Sequence, residues 1–275
     1  MKIAMLGLGK MGGNMSARLI RNGISVVGYD NHPETVKKLE ASEKLIPSSS
    51  VEDAISKLEG QKIVWMMLPA GDITKKQIAD LIPLLSEGDI IVDGGNSNFK
   101  QSVKMGRMLE EYNIGFMDCG TSGGVWGLDN GYCLMVGASH EVAKAVEPVL
   151  RALAPTPQKG WLHVGPVGSG HFTKMIHNGI EYGMMESVAE GLELLKGREE
   201  FAVDVAKVTE LWRHGSVVRS WLLDLTAEAL QSDQNLEDIA PFVADSGEGR
   251  WTAVEAIEQG IPAPVLTQAL QVRFR

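Results

Sequence analysis

Lys2-Ile3-Ala4-Met5-Leu6-Gly7-Leu8-Gly9-Lys10-Met11-Gly12 is the stretch whose reading decides the fold. An apolar run of strand length enters three glycines spaced as GxGxxG, and an amphipathic pattern follows over 11–22. The motif alone is weak. Placed between a strand and a helix, it reads as a turn built for the pyrophosphate of a dinucleotide. Gly7 permits the tight turn, Gly9 the close approach of phosphate, and Gly12 the packing of helix on strand. Leu8, Lys10 and Met11 complete this cofactor-binding loop, and the helix start offers amide hydrogens and a positive dipole end.

Outward from that turn, short apolar runs recur at 25–29, 62–68, 89–93, 114–118 and 132–137. Amphipathic stretches at 72–85 and 98–111 lie between them. Strands alternating with helices imply a parallel sheet covered on both faces. After Gly170 strand patterns nearly vanish, and 171–196, 201–231, 250–259 and 263–275 read as helical. The expected architecture is α/β: an N-terminal Rossmann dinucleotide-binding domain over 1–166, then an all-α domain over 167–275. Clefts between domains are common ligand sites.

The second strand runs into Asp30, 18 residues beyond Gly12. A carboxylate there can accept both ribose hydroxyls and repels a 2′-phosphate, which favours NAD over NADP. Asp30 also fits a helix start, since Pro33 and Glu34 follow. The third strand leads to Leu68-Pro69-Ala70-Gly71 and the fourth to Gly94-Gly95-Asn96-Ser97. Ligands of open parallel sheets bind beyond the carboxyl ends of strands, so both loops are expected to face the nicotinamide. Gly120-Thr121-Ser122-Gly123-Gly124 follows the fifth strand, and its amides could converge on an anion or form an ordinary flexible loop.

His171-Phe172-Thr173-Lys174-Met175-Ile176-His177-Asn178-Gly179-Ile180-Glu181-Tyr182 carries the chemistry. Wound as a helix, it places Lys174, His177, Asn178, Glu181 and Tyr182 along one stripe. An amine, an imidazole, an amide and a carboxylate on one face pack poorly but suit acid–base work. The bland alternative is a solvated face. His171 fits a junction role as well as a catalytic one.

Composition narrows the function classes. A net charge of -9 argues against general nucleic-acid binding, yet leaves room for an anionic substrate held by a few local cations. Two cysteines, without metal-type spacing, point to a reducing cytoplasm. Neither a leader nor a membrane-spanning run is read in the sequence, so no membrane partner is expected.

Taken together, these residues resemble the decarboxylating 6-phosphogluconate dehydrogenase family of the β-hydroxyacid dehydrogenase superfamily, in particular its short NAD-preferring form. The resemblance runs in order along the whole chain. GLGKMG, the SGG loop and a lysine on the long helix are shared across the superfamily, whereas HNGIEYG (177–183), DGGNS (93–97) and GEGRWT (247–252) are far more specific. The resemblance implies oxidation of 6-phosphogluconate to ribulose 5-phosphate and carbon dioxide in the pentose phosphate pathway, with NAD as oxidant, NADP less favoured and no metal. It also implies a homodimer or higher homo-oligomer. Lys174 would be the general base on the C3 hydroxyl, and Glu181 the acid that protonates the enediol left by decarboxylation. The chemistry requires a neutral Lys174 when hydride leaves, and desolvation lowers an amine's affinity for a proton. Asn96, Ser122, Gly123, Gly124, His177 and Asn178 match positions holding the carboxylate and hydroxyls of the substrate. Tyr182, Arg250 and Arg273 match positions binding its phosphate, although both arginines would otherwise read as surface residues.

Several details depart from the long form. There the second strand ends in an Asn-Arg-Thr type of sequence, and the position of Pro69 often holds a lysine; here Asp30-Asn31-His32 again favours NAD. Arg250 stands where the long form often carries a lysine, and either cation suits a phosphate. The chain ends at Arg275 inside a helical pattern, where family members continue into a tail that reaches the partner subunit's substrate site. The expectation is that either the chain is shortened here, or the missing tail leaves phosphate binding incomplete. Two rival readings stand beside this one. A non-decarboxylating β-hydroxyacid dehydrogenase would need Lys174 but not Glu181, and a catalytically silent NAD-binding protein would turn nothing over.

Overall fold

A computed structural model describes residues 1–274; Arg275, the end of the expected helical domain, lies outside the described residues. The chain divides into two compact units, Met1–Met175 and a second from Ile176 onward. The division between these units falls inside a long helix.

The first unit is built on an eight-stranded sheet of order β3-β2-β1-β4-β5-β6-β7-β8. Its strands are β1 (Lys2–Leu6), β2 (Ser25–Tyr29), β3 (Ile46–Pro47), β4 (Ile63–Met66), β5 (Ile90–Asp93), β6 (Gly115–Ser122), β7 (Cys133–Ala138) and β8 (Trp161–Gly165). Its helices are α1 (Lys10–Arg21), α2 (Pro33–Glu43), α3 (Val51–Ser56), α4 (Asp72–Leu81), α5 (Phe99–Glu110), α6 (Gly127–Asn130) and α7 (His140–Leu153). Strand periodicity sends alternate side chains to opposite faces. Ile3, Met5, Ile63 and Trp65 enter one core with Met15 and Leu19 of α1 and Val146 and Val149 of α7. Ala4, Leu6, Val64 and Met66 enter the other with Ile55 of α3, Ile78 of α4 and Leu109 of α5. Both faces are therefore covered, as continuous apolar strands require.

The sheet departs from a wholly parallel one at its far end. Strands β1 to β6 are parallel, but β7 runs antiparallel to β6, with Met117 opposite Ala138 and Ser122 opposite Cys133. This pairing draws Gly120, Thr121 and Ser122 into β6, so three of the five residues read as a loop are strand. Only the Gly123-Gly124 end remains available as a turn.

Helix α8 (Ser169–Gly197) begins in the first unit and continues into the second. The second unit adds α9 (Val205–Trp212), α10 (Trp221–Ser232), α11 (Glu248–Gln259) and α12 (Pro264–Val272). The stretch read as helical over 201–231 holds two helices, because Gly215 takes φ +79° and Ser220 starts a fresh helix by accepting the Leu223 amide. Tyr182, Ala253, Ala269 and Leu270 form the small core of this unit. No helix among the described residues is long and apolar enough to cross a membrane.

Candidate functional site

The turn between β1 and α1 has the shape that its glycines require. Gly7 sits at φ +89°, and a Cβ there would come within 2.5 Å of the Met67 carbonyl oxygen. A Cβ on Gly12 would fall 2.0 Å from the Gly7 carbonyl oxygen. A Cβ on Gly9, by contrast, would meet nothing within 4 Å. Two glycines are thus demanded by packing, and the middle one faces open space of the kind a phosphate needs. Gly9 is also the N-cap of α1 and offers no side chain to its first-turn amides. The residues present fit a dinucleotide pyrophosphate.

Asp30 follows β2 and has two partners. Its Oδ2 accepts the Leu8 amide at 2.7 Å and its Oδ1 the His32 amide at 2.8 Å. His32, not Asp30, is the N-cap of α2, with Pro33 at the first helical position, so the helix-start reading of Asp30 is corrected by two residues. The carboxylate braces the glycine loop and the residue from which the next helix starts. Leu68, Pro69 and Ala70 follow the carboxyl end of β4, and Asn96 follows that of β5. Pro69, Ala70 and Asn96 are exposed. Because β1, β2, β4, β5 and β6 are parallel, their carboxyl ends share one edge of the sheet. Asp93 locks the β5 turn, accepting the Gly95 amide at 3.1 Å and the Ser97 hydroxyl at 2.6 Å.

Lys174 is 5% exposed. It can lie so deep because Gly120 of β6 has no side chain: a Cβ there would come 2.4 Å from the Lys174 Cβ. Gly170 makes the matching approach, its virtual Cβ 2.4 Å from the Asp118 carbonyl oxygen. Asp118 is wholly buried in β6, and its carboxyl accepts the amides of Gly168 at 2.6 Å and His171 at 2.7 Å. It thereby caps the start of α8. Burial pushes the Asp118 carboxyl above the usual carboxylate range, against the charge of His171 and the two amides that favour the ionised form. His171 Nδ1 lies 2.7 Å from Ser102 Oγ of α5, and its Nε2 has no hydrogen-bond partner among the described residues. Asp118 and Ser102 were not legible as site residues, since their partners lie 50 and 69 residues away in sequence. These contacts of His171 all lie within the first unit.

In the second unit, His177 Nδ1 lies 3.1 Å from Asn178 Oδ1 and 3.7 Å from Glu181 Oε2. One turn further, Tyr182 is 9% exposed, with the Arg273 guanidinium 3.9 Å above its ring centroid. Its hydroxyl lies 3.2 Å from Ser246 Oγ. Asp245 Oδ2 receives Arg250 Nε at 3.0 Å and Arg250 Nη2 at 2.5 Å. Arg250 holds the Asp245 carboxyl below the usual range, with Arg273 adding to it. Tyr182, Arg250 and Arg273 are thus gathered around Asp245 and Ser246, two residues that sequence reading missed. Two cations and two hydroxyls thus lie about the chain's own Asp245 carboxylate.

Comparison with known proteins divides the chain earlier, between residues 165 and 170. Residues 2–165 match the family described as the NAD-binding domain of 6-phosphogluconate dehydrogenase, and residues 170–275 match its C-terminal domain. The chain is 42% identical over 275 residues to YqeC of Bacillus subtilis, all of this chain and 91% of that one. It is 41% identical over 276 residues to a Haloferax volcanii protein named 6-phosphogluconate dehydrogenase, NAD(+)-dependent, decarboxylating, covering 90% of it. Among solved structures, Plasmodium falciparum 6-phosphogluconate dehydrogenase, described with NADP+ and with 6-phosphogluconate, superposes with a TM-score of 0.90 at 29% identity. That match covers 99% of this chain but 61% of the longer Plasmodium chain.

Proposed function

The chain belongs to the 6-phosphogluconate dehydrogenase family, a family of nucleotide-binding oxidoreductases, and from that premise we propose that it converts 6-phosphogluconate to ribulose 5-phosphate and carbon dioxide with NAD as the oxidant. The observation that carries the reading is Lys174, buried at 5% exposure over Gly120 on the same helix that bears His177, Asn178, Glu181 and Tyr182.

In this reading Gly7, Leu8, Gly9, Lys10, Met11, Gly12 and Asp30 would hold the dinucleotide, which would supply the acceptor for a hydride from C3 of the substrate. Lys174 takes the proton of the C3 hydroxyl as the carbonyl forms, and then hydrogen-bonds that carbonyl. The carbonyl lies β to the carboxylate, so the C1–C2 bond can break with its electrons delocalised towards oxygen. Lys174 returns its proton to that oxygen as carbon dioxide leaves. Glu181 then protonates the carbon that lost the carboxylate while Lys174 takes back the proton of that oxygen, giving the product ketose. Asn96, Ser122, Gly123, Gly124, His177 and Asn178 hold the carboxylate and hydroxyls. Tyr182, Arg250 and Arg273 hold the phosphate, which exchanges with the Asp245 carboxylate.

Support for NAD comes from Asp30, whose carboxylate stands at the end of β2 where a 2′-phosphate would meet like charge. The name of the Haloferax relative points the same way, while the Plasmodium structure binds NADP+. A homo-oligomer acting in the cytoplasm accompanies this reading through the family resemblance.

The test is dinucleotide reduction with 6-phosphogluconate, run beside NADP and unphosphorylated gluconate with evolved carbon dioxide captured. One carbon dioxide per NADH and no response to gluconate is the expected result. Equal NADH from gluconate, or reduction without carbon dioxide, would overturn the proposal in favour of a plain hydroxyacid dehydrogenase.

A further inference from the structure

Helix α1 does more than offer its N-terminus to a phosphate. Asn14 and Arg18, four residues apart and therefore on one face, both reach out of the helix. Asn14 Nδ2 donates to the Val125 carbonyl at 3.0 Å. The Arg18 guanidinium donates to the carbonyls of Leu128 at 3.0 Å, Leu153 at 2.9 Å and Ala154 at 2.6 Å. Val125 and Leu128 belong to the connection between β6 and β7, which opens directly after Ser122. Leu153 and Ala154 close α7.

That connection needs external ties. Gly123 and Gly124 sit at φ +137° and +54°, conformations that leave the backbone intrinsically free. Val125 and Trp126 each keep 45% of their surface exposed, so apolar packing covers the tip only in part. Hydrogen bonds from α1 therefore weigh heavily in where the tip sits. The helix is stiff, and Asn14 lies about one turn from the Gly9 N-cap. A ligand held by the first-turn amides and the carbonyl of Val125 are thus linked through one rigid element.

We propose that Asn14 and Arg18 are positioning residues that couple the two ligand sites, so that nucleotide bound at the start of α1 sets the Ser122-Gly123-Gly124 backbone to receive the anionic end of the substrate. The inference rests on the reading of that segment as the substrate's carboxylate loop. Coupling of this kind is reciprocal: each ligand tightens the other by the same factor.

The experiment measures 6-phosphogluconate affinity with and without saturating NADH, by calorimetry, in the intact protein and in Asn14→Ala. Amide exchange over 122–131 is followed in parallel with NADH alone. In the parent, NADH tightens substrate binding about 5-fold or more and slows exchange over 122–131. In Asn14→Ala the coupling falls to about 2-fold or less, while NADH affinity itself shifts no more than about 3-fold. Arg18→Lys keeps the charge but loses the fork, and supplies the same readouts if the alanine variant does not fold. Undiminished coupling in a folded variant, or exchange over 122–131 unaffected by NADH in the parent, overturns the inference. If 6-phosphogluconate does not bind at all, the substrate reading fails, and the exchange arm still decides whether α1 governs the loop.

Discussion

Gly120 lies so close beneath Lys174 that a methyl group on it would stand 2.4 Å from the Lys174 Cβ and 2.8 Å from the Gly170 carbonyl oxygen. One obstacle is main chain, so a side-chain rotation cannot clear the space. Gly120→Ala must push α8 away from β6. Overpacking of this kind costs about 1–3 kcal/mol of stability. The larger effect falls on activity, since a shift of about 1 Å in a reacting group can cost about 100-fold in rate. Denaturant unfolding and steady-state turnover together check both. Unchanged turnover would place Lys174 outside the chemistry.

The division of labour between Lys174 and Glu181 gives separable phenotypes. Lys174→Met removes the base, so no hydride leaves, and NADH formation falls by about 100- to 10,000-fold even in a single turnover. Glu181→Gln leaves the first oxidation intact, and one equivalent of NADH appears in a burst before turnover stalls by a similar factor. Rapid-quench measurement of NADH and carbon dioxide distinguishes the two. A Glu181→Gln enzyme that keeps full steady-state turnover would favour the non-decarboxylating alternative.

Asp30 makes two backbone contacts beyond any with a ribose, to Leu8 and to His32. Asp30→Ser removes the like charge facing a 2′-phosphate and loosens the glycine loop at the same time. The NAD-to-NADP preference, measured as the ratio of kcat/KM values, is expected to fall by about 10-fold or more, equivalent to about 1.4 kcal/mol. Stability falls with it by about 1–2 kcal/mol, from two lost hydrogen bonds. Preference retained in a destabilised variant would make Asp30 a structural cap alone.

The Asp245–Arg250 pair sets up a competition for phosphate. Arg250→Met should raise the KM for 6-phosphogluconate by about 5-fold, because the guanidinium is exposed and an exposed charge contact is worth about 1 kcal/mol at most. Asp245→Asn should lower that KM, since no internal carboxylate then has to be displaced. The pair also has a pH signature. A carboxyl held below its unfolded value adds stability that is complete above about pH 4 and is lost as pH falls through the lowered value. The stability difference between parent and Asp245→Asn should therefore be level near neutrality and shrink in acid.

How far the sequence could be read depended on the distance between partners. The GxGxxG turn was legible because its three glycines answer to constraints within one strand–turn–helix unit, and the contacts of Gly7 and Gly12 meet those constraints. Strand β3 was missed because it is two residues long and contains Pro47, and β8 because it is a half-exposed edge strand without a continuous apolar run. Nothing in the 132–137 run distinguishes antiparallel from parallel pairing, so the reversal at β7 lay outside what periodicity can tell. The split of 201–231 was announced by Gly215 and Ser220 and could have been read. Asp245, five residues before Arg250, was passed over because an acidic neighbour of an arginine normally marks a solvated surface.

Asp118 offers a final prediction in which burial and pairing have opposite signs. It is wholly buried, and burial is the largest influence on its carboxyl, raising its proton affinity. A carboxyl whose folded value is raised is favoured by folding in its protonated form. Its contribution is complete below the unfolded value near pH 4 and declines as pH rises through the raised folded value. Asp118→Asn cannot ionise and keeps one oxygen for the amides of Gly168 and His171, so it loses about one hydrogen bond, about 1 kcal/mol, at every pH. The stability of the parent relative to Asp118→Asn should accordingly be greatest near pH 4 and decline towards neutrality. Denaturant unfolding of both proteins between pH 4 and 7 measures this directly. The opposite slope, with the parent gaining as pH rises, would mean that the His171 charge and the two amides outweigh desolvation, and that α8 is capped by an ion pair.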